Sequence, residues 1–384
     1  MRFCICGDFA PKKVNTGFAF HDDEHTKKLL NGELENMFEE IREELAKSDV
    51  NMVNVETTLL TEGIPIVKNG ALIVDHPKWA EHLFKGGFNV ALTANNHIGD
   101  YGEKGTLETL RVLRAAGLQT VGSGENEEAA GKILYIEKNG ERMAIINACE
   151  HEYGLAKEAY AGAMHAEPFA LISKIKEAKR KADFIVVVLH GGCEHIAIPS
   201  PRIKNLLRGL AENGADMVVN NHQHCPMAYE IWQGVPIFYS MGNFVFDFTE
   251  NNGMWNYGYM ISAEWKNGKI GFEIVPYFYG NGKINRFEGE KKEYFFKYIK
   301  TLQKFSFDEK ICREIWLTWC FMNGEFFDGV ARKDIHFRKN SYNCEAHCEV
   351  LSTYYEEIIE NEYSVDEKYK SLITKIMNYQ IADI

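Results

Sequence analysis

Met217-Val218-Val219-Asn220, followed by Asn221-His222-Gln223-His224, reads as the end of a buried strand that opens into a loop carrying two histidines at i and i+2. The apolar run follows Asn213-Gly214-Ala215-Asp216, a glycine-containing turn, and has the length of a fully buried strand. A second apolar run, residues 236–239, takes the chain back into the sheet and delivers Gly242 and Asn243 to a tight turn. Imidazoles held just past a strand's C-terminal end are pinned by a rigid sheet yet open to substrate, as a metal site requires. An isolated His-x-His has an ordinary alternative, hydrogen bonding within a loop. The rest of the chain decides between them.

Outward from this stretch, four more apolar runs end in the same way. Residues 3–6 lead to Gly7-Asp8, 51–55 to Glu56, 89–93 to Ala94-Asn95-Asn96-His97, and 184–189 to His190-Gly191-Gly192. Between them the spacing predicts helices over 35–46, 77–85, 104–115, 168–182 and 202–213. Strands alternating with helices imply a layered α/β fold. Two hairpins, 134–148 around Asn139-Gly140 and 257–279 around Asn267-Gly268, add antiparallel pairs, so the sheets should be mixed. After about Gly282 the texture changes, and 290–305, 311–322, 346–360 and 367–378 read as helices rich in aromatics and charges. We divide the chain there, into 1–282 and a helical C-terminal extension, 283–384. Core packing is the simplest use of the extension's aromatics; a lid or a homo-oligomer surface is the alternative.

The 384 residues suffice for a large core, and 45% hydrophobic with 26% charged residues is ordinary for a globular protein. A net charge of −12 argues against nucleic acid as a partner, since phosphate backbones need clustered cations. No run of 18 apolar residues appears, so no membrane span is expected, and the first residues enter a strand without a signal-peptide pattern. Nine scattered cysteines, several inside apolar runs, suit reduced thiols and a cytoplasmic setting. Cys344-Glu345-Ala346-His347-Cys348 lacks a second Cys/His pair nearby and reads as an ordinary helical segment.

The five strand ends therefore present Asp8, Glu56, Asn96 with His97, His190, and His222 with His224. In open α/β sheets ligands bind outside the carboxyl ends of the strands. A mixed oxygen and nitrogen donor set suits Mn²⁺, Fe²⁺ or Zn²⁺, and six or more donors exceed what one tetrahedral ion takes. Two divalent metal ions are expected, about 3.5–4 Å apart and bridged by one carboxylate.

Gly7-Asp8, Asn54-Val55-Glu56-Thr57, the stretch from Ala94 through Asn96-His97 and Asp100 to Gly102, His190-Gly191-Gly192-Cys193-Glu194, Asn221-His222-Gln223-His224 and the stretch from Tyr239 to Asp247 occur in a characteristic order. Over roughly residues 1–280 the sequence thereby resembles the CapA family, poly-γ-glutamate capsule biosynthesis proteins of the calcineurin-like metallophosphoesterase superfamily. The resemblance implies two mixed sheets packed as a sandwich and flanked by helices. It implies Asp8 and His224 at one ion, Asn96, His190 and His222 at the other, and Glu56 at the bridging place. His97 falls where the superfamily keeps its leaving-group acid, with Asp100 placed to orient it. Position 10 is Ala where the superfamily has a ligand His, which makes Glu194 and His195 candidates to complete the first site. Asn243 and Asp247 read as shaping the pocket floor.

The resulting expectation is a metal-dependent hydrolase of phosphoesters acting on a small-molecule or polyanionic substrate. Hydrolysis or transfer at a γ-glutamyl amide, and a non-catalytic binding subunit, are the alternatives.

Overall fold

The computed structural model describes residues 1–246, 254–328 and 335–381. Two large mixed sheets dominate it. The first has eight strands. Its first strand, Arg2–Ala10, is central and pairs in parallel with Val50–Val55 and antiparallel with Tyr257–Lys266. Val50–Val55 leads on through Val90–Leu92 to Gln119–Val121, all parallel. On the other side the antiparallel strands Lys269–Gly280 and Lys283–Arg286 complete the sheet, and Asn243–Phe246 pairs in parallel with the far end of the first strand. The second sheet has six strands, with Phe184–His190 between Glu141–Cys149 and Met217–Asn221, all parallel. Hairpins close both its edges, Leu134–Lys138 with Glu141–Cys149 and Tyr229–Trp232 with Val235–Phe238. The expected two mixed sheets flanked by helices are thus what the chain forms.

The parallel strands are near-continuous apolar runs because they are covered on both faces. Phe184–His190 and Met217–Asn221 are buried along their whole length. Asn139 and Asn267 sit at φ 53° and 54°, each followed by a positive-φ glycine, as two-residue hairpin turns require. Helices Lys78–Lys85, Gly102–Ala116 and Pro201–Glu212 lie where the apolar spacing put them.

Other elements differ from the sequence reading. The helix expected over 35–46 is only a tight turn at Glu39–Ile41 continued by Arg42–Lys47. Phe38 stacks on Phe244 at 5.5 Å and meets Phe88 edge-on, so residues before it bend around the core. The helix from Pro168 ends at Ala178, four residues early. Helices Glu24–Leu30 and Ile335–Asn343 were not foreseen. The helical run from Glu345 widens into five-residue turns over Thr353–Glu360.

The C-terminal helices begin at Gly289, after the edge strand Lys283–Arg286 has closed the first sheet. A cut at 282/283 therefore falls inside a hairpin. The helices share one apolar cluster with the second sheet, in which Leu302, Ile315 and Val350 pack with Val186, Val218 and Phe238. The extension is part of the core.

Candidate metal centre

Three of the five strand ends carry a local device that aims the polar residue. In the first strand the pairing register slips between Cys6 and Asp8, a bulge at Gly7 that turns the Asp8 carboxylate into the space between the sheets. A side chain at Gly7 would strike the carbonyl of Gly242, since a Cβ there would lie 1.9 Å from that oxygen. Only glycine fits. At the third strand end, the Asn95 side chain accepts from the His97 and Ile98 backbone N–H groups and donates to the Val55 carbonyl, forming a turn that projects Asn96 and His97. Asn147 ties that loop to the second sheet: its Oδ1 accepts from Thr93 and Ala94, and its Nδ2 donates to Val188. His222 and His224 sit at φ 105° and 55°. Such backbone costs about 1–3 kcal/mol for a residue with a Cβ and is typically retained where geometry serves a site.

The strand ends converge. Glu56 Oε1 lies 3.4 Å from His190 Nε2, 3.8 Å from His224 Nε2 and 4.0 Å from His97 Nε2. Asp8 lies 3.9 Å from His190 Nδ1 and 3.7 Å from His224 Nδ1. His190 Nε2 is 3.0 Å from Asn96 Oδ1 and 3.1 Å from His222 Nδ1. Two groups of side chains bring ligand atoms within 4.8 Å of one another, Asp8 with Glu56 and His190, and Glu56 with His222 and His224. Glu56 belongs to both. Asp8 is also near His224, and His190 near His222, as the family resemblance implies.

The electrostatics are those of a site short of positive charge. Burial pushes the Asp8 carboxyl up to about 8, with the Glu56 charge adding to the rise. Burial raises Glu56 to about 8 as well. Burial also drives His190 and His222 down to about 4 and holds His224 well below its usual value. The rings are thereby kept neutral, the form in which imidazole is a metal ligand, and a divalent cation would restore the carboxylates. Both oxygens of Glu56 are buried without a hydrogen-bond partner, an arrangement that is costly unless something else satisfies them. The donor set fits a cation.

The other candidates take distinct places. His97 Nδ1 is 2.8 Å from Asp100 Oδ2, and its Nε2 faces the cluster. Glu194 Oε1 is 3.9 Å from both His222 Nε2 and His224 Nε2, so it reaches the cluster from a more exposed position. His195 stays at the rim, its ring 5.6 Å from that of Trp255. Asn243 Oδ1 sits 2.9 Å from His224 Nδ1 and its Nδ2 donates to the Trp255 carbonyl, so it orients a ring. Ala10 lies in a small apolar cluster with Ile73, Phe246 and Trp255. Asp247 lies outside the described residues.

Three further residues take part without having been assigned a role from the sequence. Asn54, quoted above only as part of a motif, donates through Nδ2 to Asp8 Oδ1 at 2.7 Å and lies 3.2 Å from His190 Nδ1. Lys68, in a loop without regular structure, bonds Asp100 and lies 3.3 Å from His97 Nδ1. Glu152 accepts from the amide of Asn96. Burial works against its ionisation, and nearby cations, Lys68 among them, lower its carboxyl below the usual value. Asn54 lies in the motif that ends on Glu56, whereas Lys68 and Glu152 stand in no spacing pattern and only proximity reveals them.

Two mixed sheets with a buried histidine–carboxylate cluster at the strand ends define an α/β protein with a candidate metal centre. The chain belongs to the bacterial capsule synthesis protein family PGA_cap, whose model matches residues 2–248. It is similar to the capsule biosynthesis protein CapA of Bacillus anthracis, 37% identical over 42% of this chain and 41% of that protein. It is also similar to the PGA biosynthesis protein CapA of Bacillus subtilis, 36% identical over 49% of this chain and 50% of that protein. The chain thus spans half or less of the length of these relatives. Among solved structures it matches a hypothetical protein from Thermus thermophilus, with TM-score 0.46 and 15% identity over 73% of this chain and 99% of that one. A novel phosphatase from Mycoplasma pneumoniae matches with TM-score 0.44 and 14% identity over 77% of this chain and 98% of that one.

Proposed function

We propose that this protein is a metal-dependent hydrolase that cleaves a phosphoester at a centre for two divalent ions, Mn²⁺, Fe²⁺ or Zn²⁺. The observation that carries this reading is Glu56, a buried carboxylate shared by both ligand groups, whose Oε1 faces the imidazoles of His190 and His224 without a hydrogen bond. Bound ions would supply Lewis acidity toward a phosphoryl oxygen and activate water near neutral pH. Asp8, Asn96, His190, His222 and His224 are the remaining donors, with Asn54 and Asn243 holding them in orientation. Asp100 bonds one nitrogen of His97, which leaves the other facing the cluster, where it can hand a proton to a departing alkoxide. The ammonium of Lys68 pairs with Asp100 in a buried setting and fixes the carboxylate that holds the His97 ring.

A cytoplasmic setting is part of the proposal. It is supported by nine cysteines without a disulfide, and no described helix is long and apolar enough to cross a membrane. The names of the Bacillus relatives favour a second reading, hydrolysis or transfer at a γ-glutamyl amide, which the same donors could serve through a tetrahedral intermediate.

The test is metal content by mass spectrometry after Mn²⁺ or Zn²⁺ loading and desalting, with wild type beside His222→Ala and His224→Ala. Turnover of bis(p-nitrophenyl) phosphate and of poly-γ-glutamate is then followed. Two ions per chain, fewer in both variants, with phosphodiester turnover, is expected. Metal with turnover of the polymer alone would favour the amide reading, and no retained metal would overturn both.

A further inference from the structure

Above the cluster lies a cavity of about 640 Å³ whose two walls have opposite character. The strand-end wall is polar, with Asn96, His97, Glu152, Glu194, His222 and His224. The C-terminal helices line the cavity with a largely apolar set, Trp319, Met322, Phe326, Phe327, Ile373 and Met377, interrupted by Asn323, Asn340 and His347. This second wall lies wholly beyond residue 248, where the family match ends.

The helices are fastened to the strand-end loops at several points. Asn340 donates to Glu152 Oε1 at 3.3 Å, and Glu152 in turn accepts from Asn96. Glu345 accepts from the His151 backbone N–H and sits 2.6 Å from His165 Nε2. Glu349 accepts from Ser200 and Arg202. A wall tied this way keeps its position relative to the cluster, as a binding surface needs.

The volume falls in the range of small-molecule sites, roughly 300–1,000 Å³. Polymer carboxylates would meet Glu152 and Glu194 here, while Lys68, the one lysine lining the cavity among the described residues, is paired with Asp100. Large exposed apolar side chains such as Phe326 and Met322, 53% and 47% exposed, are stabilised when a ligand covers them.

Resting on the hydrolase reading above, we propose that the substrate is a small amphiphile. Its oxyanion head lies over the histidine–carboxylate cluster and its alkyl or aryl group lies against the aromatic wall of the C-terminal helices. The extension is then the part of the chain that selects substrate.

The test is calorimetric titration of the Mn²⁺-loaded full-length protein with methyl-, butyl- and octylphosphonate, and with the matching carboxylates. Affinity should rise at least tenfold from methyl to octyl, equal to about 1.4 kcal/mol. In Phe326→Ala and Met322→Gln, both at exposed positions, the gain should shrink severalfold while methylphosphonate affinity stays unchanged. Equal affinity along the series would overturn the apolar subsite and leave the hydrolase reading standing. No binding by any head group, in protein that retains metal, would overturn the substrate class. A chain-length gain without any metal-dependent turnover would keep the subsite and overturn the hydrolase.

Discussion

At His97 the two ring nitrogens have separate tasks: Nδ1 meets Asp100 at 2.8 Å, and Nε2 looks across 4.0 Å to Glu56. It is absent from both ligand groups. His97→Ala should therefore keep the metal content of the wild type and lower kcat on a phosphodiester by about 10²–10⁴-fold. Unchanged turnover would remove His97 from the chemistry. Asn54 touches Asp8 and lies close to His190, so Asn54→Ala should weaken metal retention by about 10–100-fold in competition with a chelator, with the fold intact by circular dichroism. Retention equal to wild type would mean that the Asn54 amide does not orient the ligands.

Among the elements, helix Lys78–Lys85 offers a pH-dependent reporter remote from the metal centre. His82 lies between the rings of Phe38 and Trp79, each with its centroid 5.4 Å away, and its Nε2 is buried without a partner. Burial lowers its pKa to about 4, with Lys85 contributing. The unfolded chain, with an ordinary imidazole near 6.5, binds the proton first as pH falls. His82 therefore leaves stability intact above about pH 6.5 and subtracts from it as pH drops toward 4. Chemical denaturation at pH 7.0 and 4.5 should show a smaller acid loss for His82→Leu than for wild type. An equal loss in both would assign the acid sensitivity elsewhere. Gly117, which caps helix Gly102–Ala116 at φ 108°, faces the same helix, and a Cβ added there would lie 2.7 Å from the Phe84 ring. Gly117→Ala should lower the unfolding free energy by about 1 kcal/mol or more, read from the denaturant midpoint.

Over the whole molecule, the C-terminal helices and the second sheet share one core, and Tyr298, Leu302 and Ile315 are fully buried. A chain ending at Arg286 would expose the apolar face they cover. We expect it to be insoluble or to bind hydrophobic dye strongly, whereas a soluble truncation with wild-type melting would make the helices an independent unit. Metal should act on the molecule as a ligand of the folded state only. At about 100 times its dissociation constant it adds about 2.7 kcal/mol, so a chelator should lower Tm by several degrees.

The strands, the hairpins and the polar residue at each strand end were legible because they follow from local rules: apolar runs buried on two faces, Asn-Gly turns, and donors grouped where strands stop. The C-terminal helices were legible as helices, since their spacing is a property of neighbouring residues. What the tertiary structure alone decided concerns distance between residues far apart in the chain. Lys68 and Glu152 became part of the site through contacts that no periodicity encodes, and the role of Asn54, though it lies in a quoted motif, appears only in its contacts. The bend at Phe38 replaced an expected helix because aromatic packing against Phe88 and Phe244 outweighed local propensity. The extension became a wall of the cavity for the same reason. Burial of a shared apolar surface is set by the folded whole, and a sequence of residues carries it only implicitly.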